Sequence, residues 1–177
     1  ALTGSPNIGA DTTGVWEING VVNAGASFNP ATAKTGNNVV RYITTINNCT
    51  DSIDSTFVVN TLPVPSITSI GPFCKGASAV NLEGNPNGAS VTATWKIDDV
   101  VNAAGSFDPN VLTAGNHTVR YIATVKNCTD SIDSVFVINA IPVPAIGTIG
   151  PFCAKDAAVP LVGSPNPILD TTGVWKI

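Results

Sequence analysis

The chain has 177 residues, a net charge of -4 and 11% charged side chains, so it is long enough for one or two domains with substantial cores. A hydrophobic fraction of 44% excludes a disordered chain, and the eight scattered Lys and Arg residues exclude the basic stripe that a nucleic-acid partner requires. No apolar run reaches the length of a membrane span, so membrane insertion is not expected.

An internal repeat organises the whole chain. Trp16 returns as Trp95 and again as Trp175, and residues 16–74 and 95–153 share 36 identities in 59 positions without a gap. The strings NCTDSIDS and IGPFC each occur twice. Self-similarity at a fixed period of 79 or 80 residues indicates tandem modules that arose by duplication.

Within one copy of the repeat, the hydrophobic periodicity is that of β-strands. Residues 79–82 predict a short strand, and the polar residues 126–130 predict a hairpin turn between two longer ones. Three further sets of alternating residues are predicted to face the core: Ala93, Trp95 and Ile97; Val119, Tyr121, Ala123 and Val125; and Ile132, Ser134, Phe136 and Ile138. Because Gly and Pro punctuate the chain and no helical period is sustained, we predict an all-β fold of tandem immunoglobulin-like β-sandwich modules of about 79 residues.

Alternating prolines mark the predicted module boundaries. The linkers at residues 62–65 and 141–144 each follow a predicted strand, and their prolines favour an extended, semi-rigid connector. Residues 1–62 are therefore predicted to form a module that lacks its first strands. Residues 63–141 form a complete module, and residues 142–177 form the first strands of a further one.

The four cysteines allow three disulfide pairings, of which two respect the repeat. In one pairing, Cys49 bonds to Cys74 and Cys128 bonds to Cys153, across the proline linkers. In the other, which we favour, Cys74 bonds to Cys128, because the turn before the last strand of a sandwich lies where its own module begins. Cys49 and Cys153 then bond to residues outside this chain. Disulfides predict an oxidising, extracytoplasmic location.

No constellation of residues predicts catalysis, a cofactor or a metal. His117 is the single histidine and its counterpart in the first copy is Asn38, so we expect a plain surface strand residue and no enzyme. The two glutamates, Glu17 and Glu83, stand at unrelated positions of the repeat. Two aspartates occur at equivalent positions of each copy: Asp51, Asp54, Asp130 and Asp133. We interpret them as solvated charges at a strand edge and not as ligands of a Ca²⁺ ion.

Several hydroxyl residues follow an aspartate and precede an apolar residue or Thr. This pattern resembles the O-glycosylation signal of proteins exported by Bacteroidota. The resemblance implies six candidate acceptors: Ser52, Ser131, Ser55, Ser134, Thr12 and Thr171. Ser131 is expected to face outward, since Ile132 and Phe136 face the core, whereas Ser134 falls on the inward set.

The repeat as a whole resembles a known group of modules. The segments that carry the resemblance are IGPFC, the strand tryptophan, SFDP at residues 106–109, AGNHTVRYIATVKNCTD at residues 114–130, and the closing VFVINAIPVP. They are similar to the tandem Ig-like or PKD-like modules of very large surface adhesins that Bacteroidota export through the type IX secretion system, gliding adhesins among them. The resemblance implies an extracellular, cell-surface protein.

We therefore predict a structural repeat segment of a long extracellular filament or adhesin stalk, whose partners are neighbouring repeats, with surface glycans or other cells as further candidates. One alternative is a glycan-binding or protein-binding module, which requires exposed aromatic residues, although the Trp and Tyr of each copy fall on inward faces. A second alternative is a subunit that polymerises by strand complementation and forms a bond between Cys153 and Cys49 of the next chain.

Overall fold

The computed structural model describes residues 2–4 and 12–164. These residues contain one short 3₁₀ turn, at Pro30–Thr32, and otherwise only strands and loops. The strands are β1 Thr12–Ile18, β2 Val21–Val22, β3 Gly36–Ile46, β4 Cys49–Val59, β5 Ser66–Ile67, β6 Phe73–Cys74, β7 Val80–Asn81, β8 Gly84–Asn85, β9 Val91–Ile97, β10 Val100–Asn102, β11 Ser106–Phe107, β12 Gly115–Val125, β13 Cys128–Asn139, β14 Ala145–Ile146 and β15 Gly163–Ser164. The prediction of an all-β fold is confirmed.

Contacts divide the chain into two compact units. The first unit comprises residues 1–66, 84–93 and 121–132, and the second comprises residues 67–83, 94–120 and 133–177. Every strand pairing among the described residues stays within residues 1–62, 63–141 or 142–177, the three predicted segments.

The first unit contains a four-stranded sheet in the order β2-β1-β3-β4. Its long strands are antiparallel, with Trp16 opposite Tyr42 and Tyr42 opposite Ile53. The rings of Trp16 and Tyr42 lie 4.6 Å apart, and Tyr42 is buried. The inward direction predicted for the tyrosine of this copy is therefore confirmed.

The second copy of the repeat builds the same sheet with one strand added. Its order is β10-β9-β12-β13-β6, and β6 runs parallel to the end of β13, with Phe73 opposite Ile138 and Cys74 opposite Asn139. The four strands shared by both copies have the order of the front sheet of a variable-type immunoglobulin domain, C′-C-F-G. Short pairs, β11 with β7 and β5 with β8, lie outside this sheet.

The core follows the predicted alternation. Along β12, Val119, Tyr121 and Ala123 are no more than 1% exposed, and along β13 Phe136 and Ile138 are 2% and 1% exposed. A side chain with this little exposure lies in the best-packed part of the module, where loss of volume costs the most free energy. The predicted inward direction is confirmed for these five residues, whereas Val125 and Ser134 are half-buried and Ile132, which was also predicted to face the core, is 38% exposed.

The hairpin turn between β12 and β13 is shorter than predicted. Residues 126–130 were expected to form the turn, but β13 begins at Cys128, so Lys126 and Asn127 alone form it. Both have positive φ angles, 48° and 65°. A two-residue turn of this type matches the twist of the flanking strands and requires φ > 0 at both positions, which Asn, Asp and Gly tolerate best.

We expect Lys126→Asn to stabilise the chain by about 0.5–1 kcal/mol, since the first copy already has Asn47 at this turn position with φ 51°. The measurement is the midpoint and slope of urea unfolding. Asn47→Lys is the reciprocal control and should destabilise by a similar amount. Equal stability of all three chains would show that the turn residue does not limit stability.

Candidate functional site

Four of the six candidate glycan acceptors lie on β4 and β13. Ser52, Ser55 and Ser131 are exposed, whereas Ser134 and Thr12 are half-buried. Ser131 is exposed as expected, but its neighbour Ile132, which was expected to face the core, is also 38% exposed. Thr171 lies outside the described residues. Both Asp51 and Asp130 accept a hydrogen bond at 2.8 Å from the backbone N–H of the serine that follows, and this contact holds the Asp-Ser pair in the same local geometry in each copy.

The second aspartate of each repeat forms an ion pair across the sheet. Arg41 donates to both carboxylate oxygens of Asp54 at 2.6 and 2.9 Å, and Arg120 donates to Asp133 at 2.6 and 2.7 Å. The hydrogen bond from Arg41 lowers the pKa of Asp54, and that from Arg120 lowers the pKa of Asp133. No group of three or more His, Cys, Asp or Glu side chains among the described residues could hold a metal ion.

His117 is not the surface residue that was expected, because its side chain is only 6% exposed. Its Nδ1 lies 2.6 Å from Asp98 Oδ2, its Nε2 lies 2.9 Å from the carbonyl oxygen of Thr113, and its ring packs 5.5 Å from that of Phe136. Asp98 also accepts a hydrogen bond from the backbone N–H of Thr118 at 2.9 Å. The hydrogen bonds of this His117–Asp98 pair therefore connect the β9–β10 turn to the start of β12.

The first copy makes the same connection without ionisable groups. Asn38 stands in place of His117 and Asn19 in place of Asp98, and their side chains are joined by a hydrogen bond of 2.8 Å. Asn38 donates to the carbonyl oxygen of Lys34, and Asn19 accepts from the backbone N–H of Val39, each at 2.9 Å. The shared geometry assigns His117 a structural role, since an amide pair performs it equally in the other copy.

Ionisation of the pair is coupled to its geometry. The hydrogen bond to Asp98 raises the pKa of His117 above 6.5, with desolvation acting in the opposite direction. The hydrogen bond from His117, and then that from the Thr118 backbone, lowers the pKa of Asp98 below 3.8. At any pH between 3.8 and 6.5, His117 is therefore protonated and Asp98 is ionised, and their hydrogen bond is charge-assisted.

The favoured disulfide between Cys74 and Cys128 does not fit the sheet. All four cysteines are free, Cys128 begins β13, and Cys74 pairs with Asn139 at the opposite end of the same strand. Eleven residues of extended strand span about 36 Å, whereas a disulfide requires Cα atoms within about 7 Å. The prediction was wrong because it placed the end of β6 beside the β12–β13 turn.

Cys128 instead lies beside the end of the first copy. Its Sγ is 4.0 Å from the carbonyl oxygen of Asn60, and the Asn60 side chain donates to the carbonyl oxygen of Lys126 at 3.2 Å. Sequence reasoning missed this role of Asn60. The available signal was its exact return as Asn139 at the matching position after the last strand.

The linker that follows Asn60 is packed. Pro63 and Pro65 are buried, although Leu62 and Val64 are 63% and 84% exposed. The second linker has the same Pro-Val-Pro sequence, but both of its prolines, Pro142 and Pro144, are exposed.

Comparison with known proteins gives weak likenesses only. No family model matches the chain, and no curated protein is significantly similar to it. Among solved structures, the immunoglobulin domains 1–5 of Sidekick-1 share 15% identity at a TM-score of 0.36, and the alignment covers 78% of this chain and 34% of that one. The extracellular domains 3–5 of Drosophila OTK share 13% identity at a TM-score of 0.29, with 80% and 58% coverage. The chain thus spans about a third of the first structure and under two thirds of the second.

No helix among the described residues is long and apolar enough to cross a membrane. The aromatic residues expected to face inward are buried in three cases, Tyr42, Trp95 and Tyr121, whereas Trp16 is half-buried. A module that binds glycans would need exposed aromatic residues at equivalent positions of both copies. None of these four residues is exposed.

Proposed function

We propose that the chain is a non-catalytic structural repeat segment of a long extracellular filament or adhesin stalk. In this role it spaces and displays adhesive parts at a cell surface. The observation that carries the proposal is the packed linker: Pro63 and Pro65 are buried, and Asn60 just before them is hydrogen-bonded to the Lys126 carbonyl of the next hairpin.

A packed proline linker favours a stiff connection between successive repeats. Proline fixes φ near -65°, so residues 63 and 65 retain little rotational freedom even before they are buried. The hydrogen bond of Asn60 and the contact of its carbonyl with Cys128 add restraints from the following copy. A stalk needs these properties, because a freely jointed chain of modules coils and shortens its reach.

The finer parts of the proposal rest on the family resemblance. We propose export through a type IX secretion system and a cell-surface location, with neighbouring repeats as the immediate partners. Ser52 and Ser131 are the preferred O-glycan acceptors, since both hydroxyls are exposed and follow an aspartate. A glycan at these positions would cover the outer face of each long hairpin.

Single-molecule fluorescence energy transfer tests the spacing role. Dyes are attached through non-natural residues at Val22 and Val101, equivalent exposed positions that are each 60% exposed. A spacer predicts one narrow distance distribution, which broadens in the double variant Pro63→Gly/Pro65→Gly. The matched control is Pro142→Gly/Pro144→Gly, in the exposed linker, which should leave the distribution unchanged. A broad distribution in the unmodified chain would refute the spacing role.

A further inference from the structure

Asparagine followed by glycine occurs at two places in the chain, once in each of the two copies of the repeat. Asn19-Gly20 lies in the first copy and Asn87-Gly88 in the second. Neither pair is repeated: Asp98-Asp99 stands at the first place in the other copy, and Asn7-Ile8 at the second. The two Asn-Gly pairs therefore have the same local chemistry and differ in what surrounds them.

An asparagine that precedes glycine can lose its side-chain amide without an enzyme. The backbone nitrogen of the glycine attacks Cγ of the asparagine, a new C–N bond forms, and Nδ2 leaves as ammonia, so that a cyclic imide results. Water then opens the imide at either carbonyl carbon. The product is aspartate, or isoaspartate, in which the main chain runs through the side chain. Glycine favours the attack because it has no Cβ to obstruct its own nitrogen.

The fold holds Asn19 in a position that opposes this reaction. Asn19 and Gly20 form the turn between β1 and β2, with φ angles of 51° and 78°. The Nδ2 of Asn19 donates to Asn38 Oδ1 at 2.8 Å, and its Oδ1 accepts from the backbone N–H of Val39 at 2.9 Å. Both ends of the amide are thus bound to β3, and both hydrogen bonds must break before Cγ can turn to the Gly20 nitrogen.

Asn87 is restrained far less. It lies in the loop between β8 and β9, and both Asn87 and Gly88 are exposed. Within the described part of the chain, its side chain makes one hydrogen bond, from Nδ2 to the Gly84 carbonyl oxygen at 3.2 Å. The space that a Cβ of Gly88 would occupy has no described atom within 4 Å apart from the chain neighbours. The attacking nitrogen and the water that follows therefore have free access.

The first copy does not suit the product of deamidation at residue 19. Asn38 Nδ2 donates to the carbonyl oxygens of Lys34 and Gly36, each at 2.9 Å, so Asn38 presents its Oδ1, an acceptor, to residue 19. A carboxylate has no hydrogen to donate to that oxygen. The second copy does have an aspartate at this position, Asp98, but there the His117 ring is the partner.

We propose that Asn87 is a site of spontaneous deamidation that yields aspartate and isoaspartate, and that the fold protects Asn19, where the product does not fit, from the same reaction. For each asparagine converted, one water is consumed and one ammonia is released, so no oxidant or reductant is required. The proposal is independent of the spacing role, because a chemical change at one side chain and distances within the chain are measured separately.

The modified residue lies next to a buried contact. Pro86, directly before Asn87, accepts a hydrogen bond at its carbonyl oxygen from the Tyr121 hydroxyl at 2.6 Å, and Tyr121 is 1% exposed. Aspartate at position 87 adds a negative charge to an exposed side chain. Isoaspartate also lengthens the main chain by one methylene group immediately after the Pro86 contact. The modification therefore changes the path of the loop as well as its charge.

The relative rates at the two sites test the proposal. The folded chain is incubated in mildly alkaline buffer, and peptide mapping by mass spectrometry follows the conversion of amide to acid. Asn87 should react at least roughly tenfold faster than Asn19, since two hydrogen bonds hold Asn19. In urea the two rates should be similar. Equal rates in the folded chain, or a faster reaction at Asn19, would overturn the proposal, and aspartate without isoaspartate at Asn87 would refute the imide route.

The protection of Asn19 is tested with Asn38→Ala, which removes the acceptor of its Nδ2. Deamidation at Asn19 should become several-fold faster, and the rate at Asn87 in the same molecule should not change. The matched control is Asn37→Ala, at the exposed neighbouring position, which should leave both rates unaltered. Circular dichroism checks that each variant is folded. An unchanged rate at Asn19 in folded Asn38→Ala would show that the Asn19–Asn38 contact does not protect the amide.

The fit of the product is tested by placing aspartate directly at each site. Asn19→Asp should lower the urea midpoint of unfolding, because the new carboxylate meets Asn38 Oδ1. Asn87→Asp is the matched control and should leave the midpoint nearly unchanged, since residue 87 is exposed. Equal midpoints of the two variants would contradict the inference that the first copy excludes the product.

Discussion

Phe136→Ala is expected to lower the free energy of unfolding by about 3–5 kcal/mol, which is a large part of the stability of a small domain. The Phe136 ring is 2% exposed and packs against Phe73, Phe107 and His117, at 6.2, 4.8 and 5.5 Å. Its removal leaves a cavity that three separate strands line. Urea unfolding gives the total loss, and hydrogen exchange of the β12 amides shows whether the loss is local.

Phe57→Ala is the matched control, because Phe57 occupies the same repeat position but is half-buried. For Phe57→Ala we expect a loss of stability of about half that of Phe136→Ala or less, since less apolar surface returns to water. Equal losses at both positions would show that the first copy has a complete core in solution.

The strand content and the core could be predicted from sequence because period-two alternation is a local property. Val119, Tyr121, Phe136 and Ile138 fall on predicted inward faces, and each is buried. The duplication strengthened the prediction, since the same pattern appears twice with different surface residues. His117 shares the parity of Val119 and Tyr121, so the alternation contained the signal for its burial. The general preference of a lone histidine for the surface outweighed that signal.

The pairing of distant strands could not be predicted in the same way. Alternation shows which face a residue takes, but it does not show which strand lies beside β13 or in which direction that strand runs. β6 pairs with only Ile138 and Asn139, too few residues to leave a periodic signal. The position of Cys74 depends entirely on this contact, and for that reason the predicted bond to Cys128 was wrong.

Two features that the sequence did not predict, the contacts of Asn60 and the burial of Pro63 and Pro65, lie where the first copy of the repeat is followed by the second. Cys128 and Asn60 come from consecutive copies, and the buried prolines lie between them. A repeated sequence can specify the connections between its modules as well as the modules themselves, because the connecting residues also return at the repeat offset. Asn60 and Asn139 are the clearest case, identical at matching positions but with different described neighbours.

The second large effect is a pH dependence caused by His117. Its pKa is raised by Asp98, so the stabilisation from the pair is complete below pH 6.5, the ordinary pKa, and is lost as pH rises through the higher folded-state pKa. The lowered pKa of Asp98 has the opposite sign. Its contribution is present above pH 3.8 and is lost as pH falls through the folded-state value. Stability from the pair is therefore greatest between these limits.

His117→Ala should cost about 1.5–3 kcal/mol near pH 5, the range for a hydrogen bond to a charged group, and less near pH 8. In His117→Asn the amide should keep the hydrogen bond to residue 98, as Asn38 does with Asn19 in the first copy. Because this amide does not titrate, the free energy of unfolding of His117→Asn should change little between about pH 5 and pH 8. The measurement is urea unfolding as a function of pH. Because His117 is the single histidine, a slope in this window that persists in His117→Asn would assign the pH dependence to other groups and refute the role of the pair.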